Sequence, residues 1–208
     1  MVITYKKGKQ DKIHISVDGE YCLTVDEAYF ITLGLYEGKV IDECEFDELR
    51  DKINIRRAYN YAVSLLARRE HSERELITKL NLKGYKQGAE QAINKLKANG
   101  YLDDERFARL YAKELKSLKR YGKKRIEQEL YRKGIATDII RDVLDEMEFS
   151  NEDLIALIER KYMRYLSDDK GINKTINALV RLGYSYREIK DALSYISENA
   201  ETTEVIYD

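Results

Sequence analysis

Lys116, Lys119, Arg120, Lys123, Lys124 and Arg125 place six cations within ten residues, and Arg132 and Lys133 follow one to two turns later. Arg68 and Arg69 occupy the matching stretch of an earlier, similar segment. Positive side chains grouped in this way attract polyanions or an acidic protein groove. Binding releases counterions, so affinity falls steeply with salt. Tyr121 stands inside the run, beside Arg120 and Gly122. An aromatic ring amid cations can stack on a nucleic-acid base, or it can pack between two helices. These ten cations are the candidate binding residues; the competing reading of any single one is a solvated helix face.

The remaining chemistry-bearing residues carry less. Asp103-Asp104-Glu105 has the look of a metal-binding acid cluster, but it stands where a helix begins. There Asp103 can cap the helix while Asp104 and Glu105 complement its dipole. His71 has no nucleophile beside it, and Cys22 and Cys44 lie outside any CxxC spacing. The cysteines read as unreactive thiols of a reducing compartment. No glycine-rich phosphate loop, paired catalytic carboxylates or nucleophile with a neighbouring base is evident. The expectation is a non-enzyme that needs no cofactor and no metal.

The elements that position the cations come from a repeat. Arg56, Ala58, Tyr61, Ala62, Leu65, Leu80, Lys83 and Gly84 recur 50 positions on as Arg106, Ala108, Tyr111, Ala112, Leu115, Leu130, Lys133 and Gly134. A weaker copy follows 49 residues later, with Gly122, Leu130, Gly134 and Ile140 reappearing as Gly171, Leu179, Gly183 and Ile189. Self-similarity at such a period marks a repeat architecture. The expected fold is mainly α, a solenoid-like array of three tandem three-helix repeats preceded by a small N-terminal antiparallel β-hairpin or sheet and a helix. The expected segments are 1–53, 54–102, 103–149 and 150–208.

In the first repeat the spacing predicts helices over 55–68, 73–82 and 87–98. Ser72 with Glu75 forms a capping box, and Gly84 supplies the left-handed residue at a helix end. The second repeat reads as 104–118, 123–132 and 138–147. The third reads as 151–166, 172–181 and 186–197, with a second capping box at Ser185 and Glu188 and a frayed end from about 198. Tyr61 and Tyr111 fall on apolar stripes and read as core. Upstream, Ile13, Ile15 and Val17 alternate on one strand and Tyr21, Leu23 and Val25 on the next. Asp18-Gly19 between them is a hairpin signal. Residues 2–5 would add a third strand, 26–33 a short helix, and 41–69 helix interrupted near Ile53 and Asn54.

Composition fits this outline. Proline is absent and 36% of residues are charged, which suits helical repeats with solvated outer faces. The net charge of −1 hides an asymmetry: residues 50–134 carry 23 Lys/Arg against 11 Asp/Glu, a net of +12, and the remainder carries −13. No apolar run approaches the roughly 18 residues of a membrane span. The chain is expected to be cytoplasmic, monomeric and free of membrane.

Tyr101-Leu102-Asp103-Asp104-Glu105-Arg106-Phe107-Ala108 carries a resemblance, together with Ala67 to Ser72, Glu75-Leu76, Lys83-Gly84-Tyr85, and Tyr121-Gly122 through Leu130 to Lys133-Gly134-Ile135. With these motifs the chain resembles the RecX family of RecA regulators over residues 58–144, and more loosely to about 196. The resemblance implies a helical solenoid of three three-helix repeats. It further implies binding in the groove of the RecA filament, with single-stranded DNA as a second contact, and inhibition or modulation of the recombinase, ATPase and coprotease activities. The N-terminal strands depart from the shortest members of the family. Two rivals remain: a helix-turn-helix DNA-binding protein independent of RecA, and a scaffold for an unrelated protein. The starts of the third helices, Lys86-Gln87-Gly88-Ala89 and Ala136-Thr137-Asp138-Ile139, are poor in base-reading side chains.

Overall fold

The computed structural model describes residues 1–204, with side chains through Asn199; residues 205–208, part of the segment expected to fray, lie outside the described residues. The backbone forms two compact units: Met1–Glu70 with Leu76–Leu102, and His71–Glu75 with Asp103 onward.

The first unit opens with an antiparallel sheet in the order β1 (Ile3–Lys7), β2 (Lys12–Val17), β3 (Glu20–Asp26). Asp18 and Gly19 both take positive φ, 49° and 84°, the conformation that matches a two-residue hairpin to the twist of its strands. Ile3, Ile13, Ile15, Val17, Leu23 and Val25 fill one face. Tyr21 does not join them. The register shifts between Ile15 and Ser16, so that Ile15 faces Leu23 while Ser16 faces Tyr21. The irregularity turns Tyr21 outward, where it is 65% exposed. Helix α1 (Glu27–Thr32) follows and ends before Gly34, whose φ is 61°.

Helix α2 (Glu43–Leu66) is one unbroken element of 24 residues, where the sequence suggested an interruption. The change of apolar stripe at Ile53 is a change of core. Leu49 and Ile53 pack into the sheet's core, and Ala58 and Ala62 into the next one. Asp42 begins α2 with a complete capping box to Glu45, and Asp with Glu three residues on is a signal present in the sequence. Helices α3 (Glu73–Leu82) and α4 (Ala89–Ala98) complete that second core through Leu76, Leu80, Ala92, Ile93 and Leu96.

In the second unit α5 (Asp104–Lys119), α6 (Lys123–Arg132) and α7 (Thr137–Glu146) surround Phe107, Ala112, Ile126, Leu130, Ile140 and Leu144. Helix α8 (Asn151–Lys161) stops short of its expected end, and a 3-10 turn over Met163–Tyr165 takes its place. With α9 (Asp169–Arg181) and α10 (Tyr186–Glu204) it surrounds Leu154, Ile158, Leu179 and Ile189. Helix α10 continues past the point where fraying was expected and starts at a complete Ser185–Glu188 capping box. The fold is mainly helical with one small antiparallel sheet.

One turn recurs three times. Gly84, Gly134 and Gly183 have φ of 87°, 83° and 97°. Each follows a middle helix, and the next residue, Tyr85, Ile135 or Tyr184, donates its N–H back to the carbonyl of Leu80, Leu130 or Leu179. Only glycine takes this conformation without penalty.

Candidate binding surface

Eight of the ten candidate cations lie in the second unit, and Arg68 and Arg69 lie in the first. The eight sort into two groups. Lys116 pairs with Asp153 at 3.2 Å and sits over the Phe149 ring. Lys123 pairs with Asp145 at 3.0 Å. Arg125 and Arg132 share Glu129, at 2.8 and 3.1 Å. Lys133 pairs with Glu75 and lies over the Tyr111 ring. These five already hold a carboxylate of their own chain. Lys119, Arg120 and Lys124 are exposed and carry no ion pair among the described residues. In the first unit Arg68 is exposed and its backbone N–H goes to Leu65, while Arg69 bonds the Glu70 carbonyl.

The local sequence builds the free group. Helix α5 ends because Arg120 takes the left-handed conformation, φ 56° and ψ 39°, and returns its N–H to the Leu115 carbonyl. Gly122 then caps α6, with Lys123 and Lys124 in the first turn. Cations at a helix N-terminus oppose its dipole, an arrangement that stabilises nothing locally. Tyr184 Oη donates to the Arg120 carbonyl at 3.1 Å, holding the joint in place. A cavity of about 220 Å3 opens beside it, lined in part by Lys116, Tyr121, Asp153 and Tyr184. Burial raises the Tyr184 phenol above its ordinary value, with Asp153 adding to the effect and Arg120 opposing it.

Tyr121 takes the packing role. It is half-buried against the α5–α7 core with the Arg125 guanidinium over its ring at 5.4 Å. Tyr61 and Tyr111 are half-buried as well, Tyr61 edge-on to Tyr85 and Tyr111 stacked on Phe107. The aromatic ring that is available near the cations is Tyr131, 66% exposed in the last turn of α6. Its signal was present in the sequence, since Lys124, Gln128 and Tyr131 follow at i, i+4 and i+7 on one face. The acid cluster caps a helix: Asp103 accepts the Arg106 N–H at 2.9 Å, and Asp104 accepts that of Glu73 at 2.8 Å.

Known proteins give the fold and the surface a context. Residues 58–96 match the first three-helix domain of RecX, and residues 103–144 the second. A protein named Regulatory protein RecX from Caldanaerobacter subterraneus is 32% identical over 93% of this chain and 99% of its own length. One of the same name from Geobacillus thermodenitrificans is 32% identical over 92% of this chain and 73% of its own. Among solved structures, RecX from Lactobacillus salivarius superposes with a TM-score of 0.61 at 25% identity, over 69% of this chain and 97% of that one. A second solved structure, of a regulatory protein RecX, shares the fold with a TM-score of 0.64 at 22% identity, over 91% of this chain and 98% of that one. With two repeats matching RecX three-helix domains and relatives alike along nearly the whole length, this chain belongs to the RecX family of regulatory proteins.

Proposed function

We propose that this protein binds the RecA nucleoprotein filament in its groove and modulates RecA, mainly by inhibiting its recombinase, ATPase and coprotease activities in DNA repair and the SOS response. It acts in the cytoplasm, as a monomer and without a cofactor. The segments 54–102, 103–149 and 150–208 serve as its modules. Many weak contacts along a periodic partner add as avidity, so no single deep pocket is required. Inhibition on this reading is mechanical: a protein lying in the groove obstructs the path of a second duplex.

The observation that carries the reading, beyond family membership, is the group of unpaired cations at one helix joint, Lys119, Arg120 and Lys124. Among the described residues no carboxylate pairs with them, so their charge is available to a polyanion or an acidic groove. The starts of α4 and α7 argue against a sequence-reading helix-turn-helix: Gly88-Ala89-Glu90 and Thr137-Asp138 put acids where base contacts would be needed.

The test is RecA-catalysed ATP hydrolysis on single-stranded DNA. The wild-type chain suppresses it. Lys119→Glu, Arg120→Glu and Lys124→Glu together weaken that suppression with the melting temperature nearly unchanged, since exposed substitutions cost about 0.5 kcal/mol or less each. Full suppression by the triple variant removes this patch from the interface, and no suppression by the wild-type chain removes RecA as the partner.

A further inference from the structure

The turns after the second and third middle helices take part in a repeated joint. In the second unit the Ser72 hydroxyl, at the N-terminus of α3, donates to the Lys133 carbonyl at 2.7 Å. The same hydroxyl accepts the Glu75 N–H at 3.2 Å, and the Glu75 carboxylate pairs with the Lys133 ammonium. A Cβ on Gly134 would come within 2.6 Å of the Arg74 side chain. Fifty residues on, the Gly122 N–H at the start of α6 donates to the Leu182 carbonyl at 2.8 Å, and a Cβ on Gly183 would meet the Arg125 backbone at 2.9 Å. In both cases a helix N-terminus presses a donor onto the carbonyl before the left-handed glycine, and the glycine admits the close approach.

Lys83-Gly84, in the first unit, is the same turn with nothing on it among the described residues. Its backbone bonds and its φ of 87° match those of the other two. A Cβ on Gly84 would meet nothing within 4 Å. Lys83 is exposed and, among the described residues, has no ion pair, unlike its counterpart Lys133. Lys79 and Lys86 flank the turn and are equally unpaired among the described residues.

We infer that the Lys83-Gly84 turn is a vacant joint that docks a helix N-terminus of a partner protein, one whose first turn reads Ser or Thr at the cap and Glu three residues on. The hydroxyl bonds the Lys83 carbonyl, and the glutamate pairs with the Lys83 ammonium. The flanking lysines favour an acidic first turn, which the helix dipole also prefers. The Ser185 cap of α10 already has its Glu188 carboxylate on the Ser185 N–H, and a second copy of this chain does not supply the docking helix through α9, the last repeat's counterpart of α3 and α6. Gly171 stands there 49 residues after Gly122 and is closed over by the Tyr165 carbonyl, within 2.9 Å of where its Cβ would lie. This docking site does not depend on RecA and is tested without it.

The probe is a helix-stabilised peptide of residues 71–82 of this chain, the segment that begins with the Ser72 cap, titrated into the 15N-labelled full-length protein. Saturable amide shifts are expected at Lys83, Gly84 and Tyr85. Lys83→Glu in the protein, or Ser→Ala with Glu→Lys in the peptide at the cap and third positions, is expected to raise Kd by about tenfold or more. The inference is overturned by an absence of shifts at 83–85, by shifts that survive both substitutions, or by shifts confined to Lys133-Gly134, where the peptide would only exchange with the native segment. Concentration-dependent shifts at 83–85 in the protein alone would make the occupant a second copy and overturn the assignment to a partner.

Discussion

Arg120 shows what a single residue does in two capacities. Its left-handed backbone ends α5 and aims its carbonyl at the Tyr184 hydroxyl, while its side chain is a cation with no ion pair among the described residues. A non-glycine residue in that conformation costs roughly 1 kcal/mol, so Arg120→Gly should raise the unfolding free energy by up to about 1 kcal/mol while weakening inhibition of RecA. Denaturant melts beside ATPase assays check it, and a variant that loses stability would assign the arginine a packing role. Tyr184 gives a pH signature at the same joint. Burial favours its neutral phenol, so the folded state holds that proton more tightly than the unfolded chain does. The resulting stability is whole below the ordinary tyrosine value of about 10 and is lost as pH rises beyond it through the raised folded value. Tyr184→Phe should flatten that alkaline decline, and alkaline melts of both proteins measure it.

At the scale of elements the repeat is what the sequence made legible. Leucine and alanine stripes at helical spacing and the glycines 50 and 49 residues apart place α3 to α7, and the starts of α8 to α10, within a few residues, because a helix core depends on local periodicity. Two features escaped for a tertiary reason. The stripe shift at Ile53 reads locally as a break, yet α2 is continuous because two separate cores claim successive turns of one helix. Tyr21 follows an alternating pattern that should bury it, and one register irregularity, with Cys22 left unpaired on its own strand, overrides the alternation. The binding surface divides in the same way. Its cations were visible in the sequence, but which of them hold internal carboxylates depends on residues up to 58 positions away, as with Lys133 and Glu75. The continuity of α2 has a consequence: Ile53, fully buried under the sheet, couples the strands to the helix. Ile53→Ala should cost about 2–5 kcal/mol, and amide exchange should accelerate in β1–β3 together with the N-terminal half of α2. Acceleration confined to the strands would mean that the helix holds without them.

For the whole molecule the question is whether charge acts as a total or through particular residues. A net of +12 over residues 50–134 gives long-range attraction to a polyanion whatever its arrangement. A cation already paired contributes less on contact, because its carboxylate must be displaced or carried into the complex. Lys119→Gln with Lys124→Gln, and Lys123→Gln with Arg132→Gln, change the net charge equally. The first pair removes unpaired cations and the second removes cations held by Asp145 and Glu129. Each free cation that displaces a counterion adds roughly 0.7–0.9 to the slope of log affinity against log salt. The first pair should therefore lower that slope by roughly 1.4–1.8 for RecA filaments on single-stranded DNA, and the second by clearly less. Equal slopes for the two double variants would mean that only the total charge is felt, and that the arrangement at the α5–α6 joint is incidental to binding.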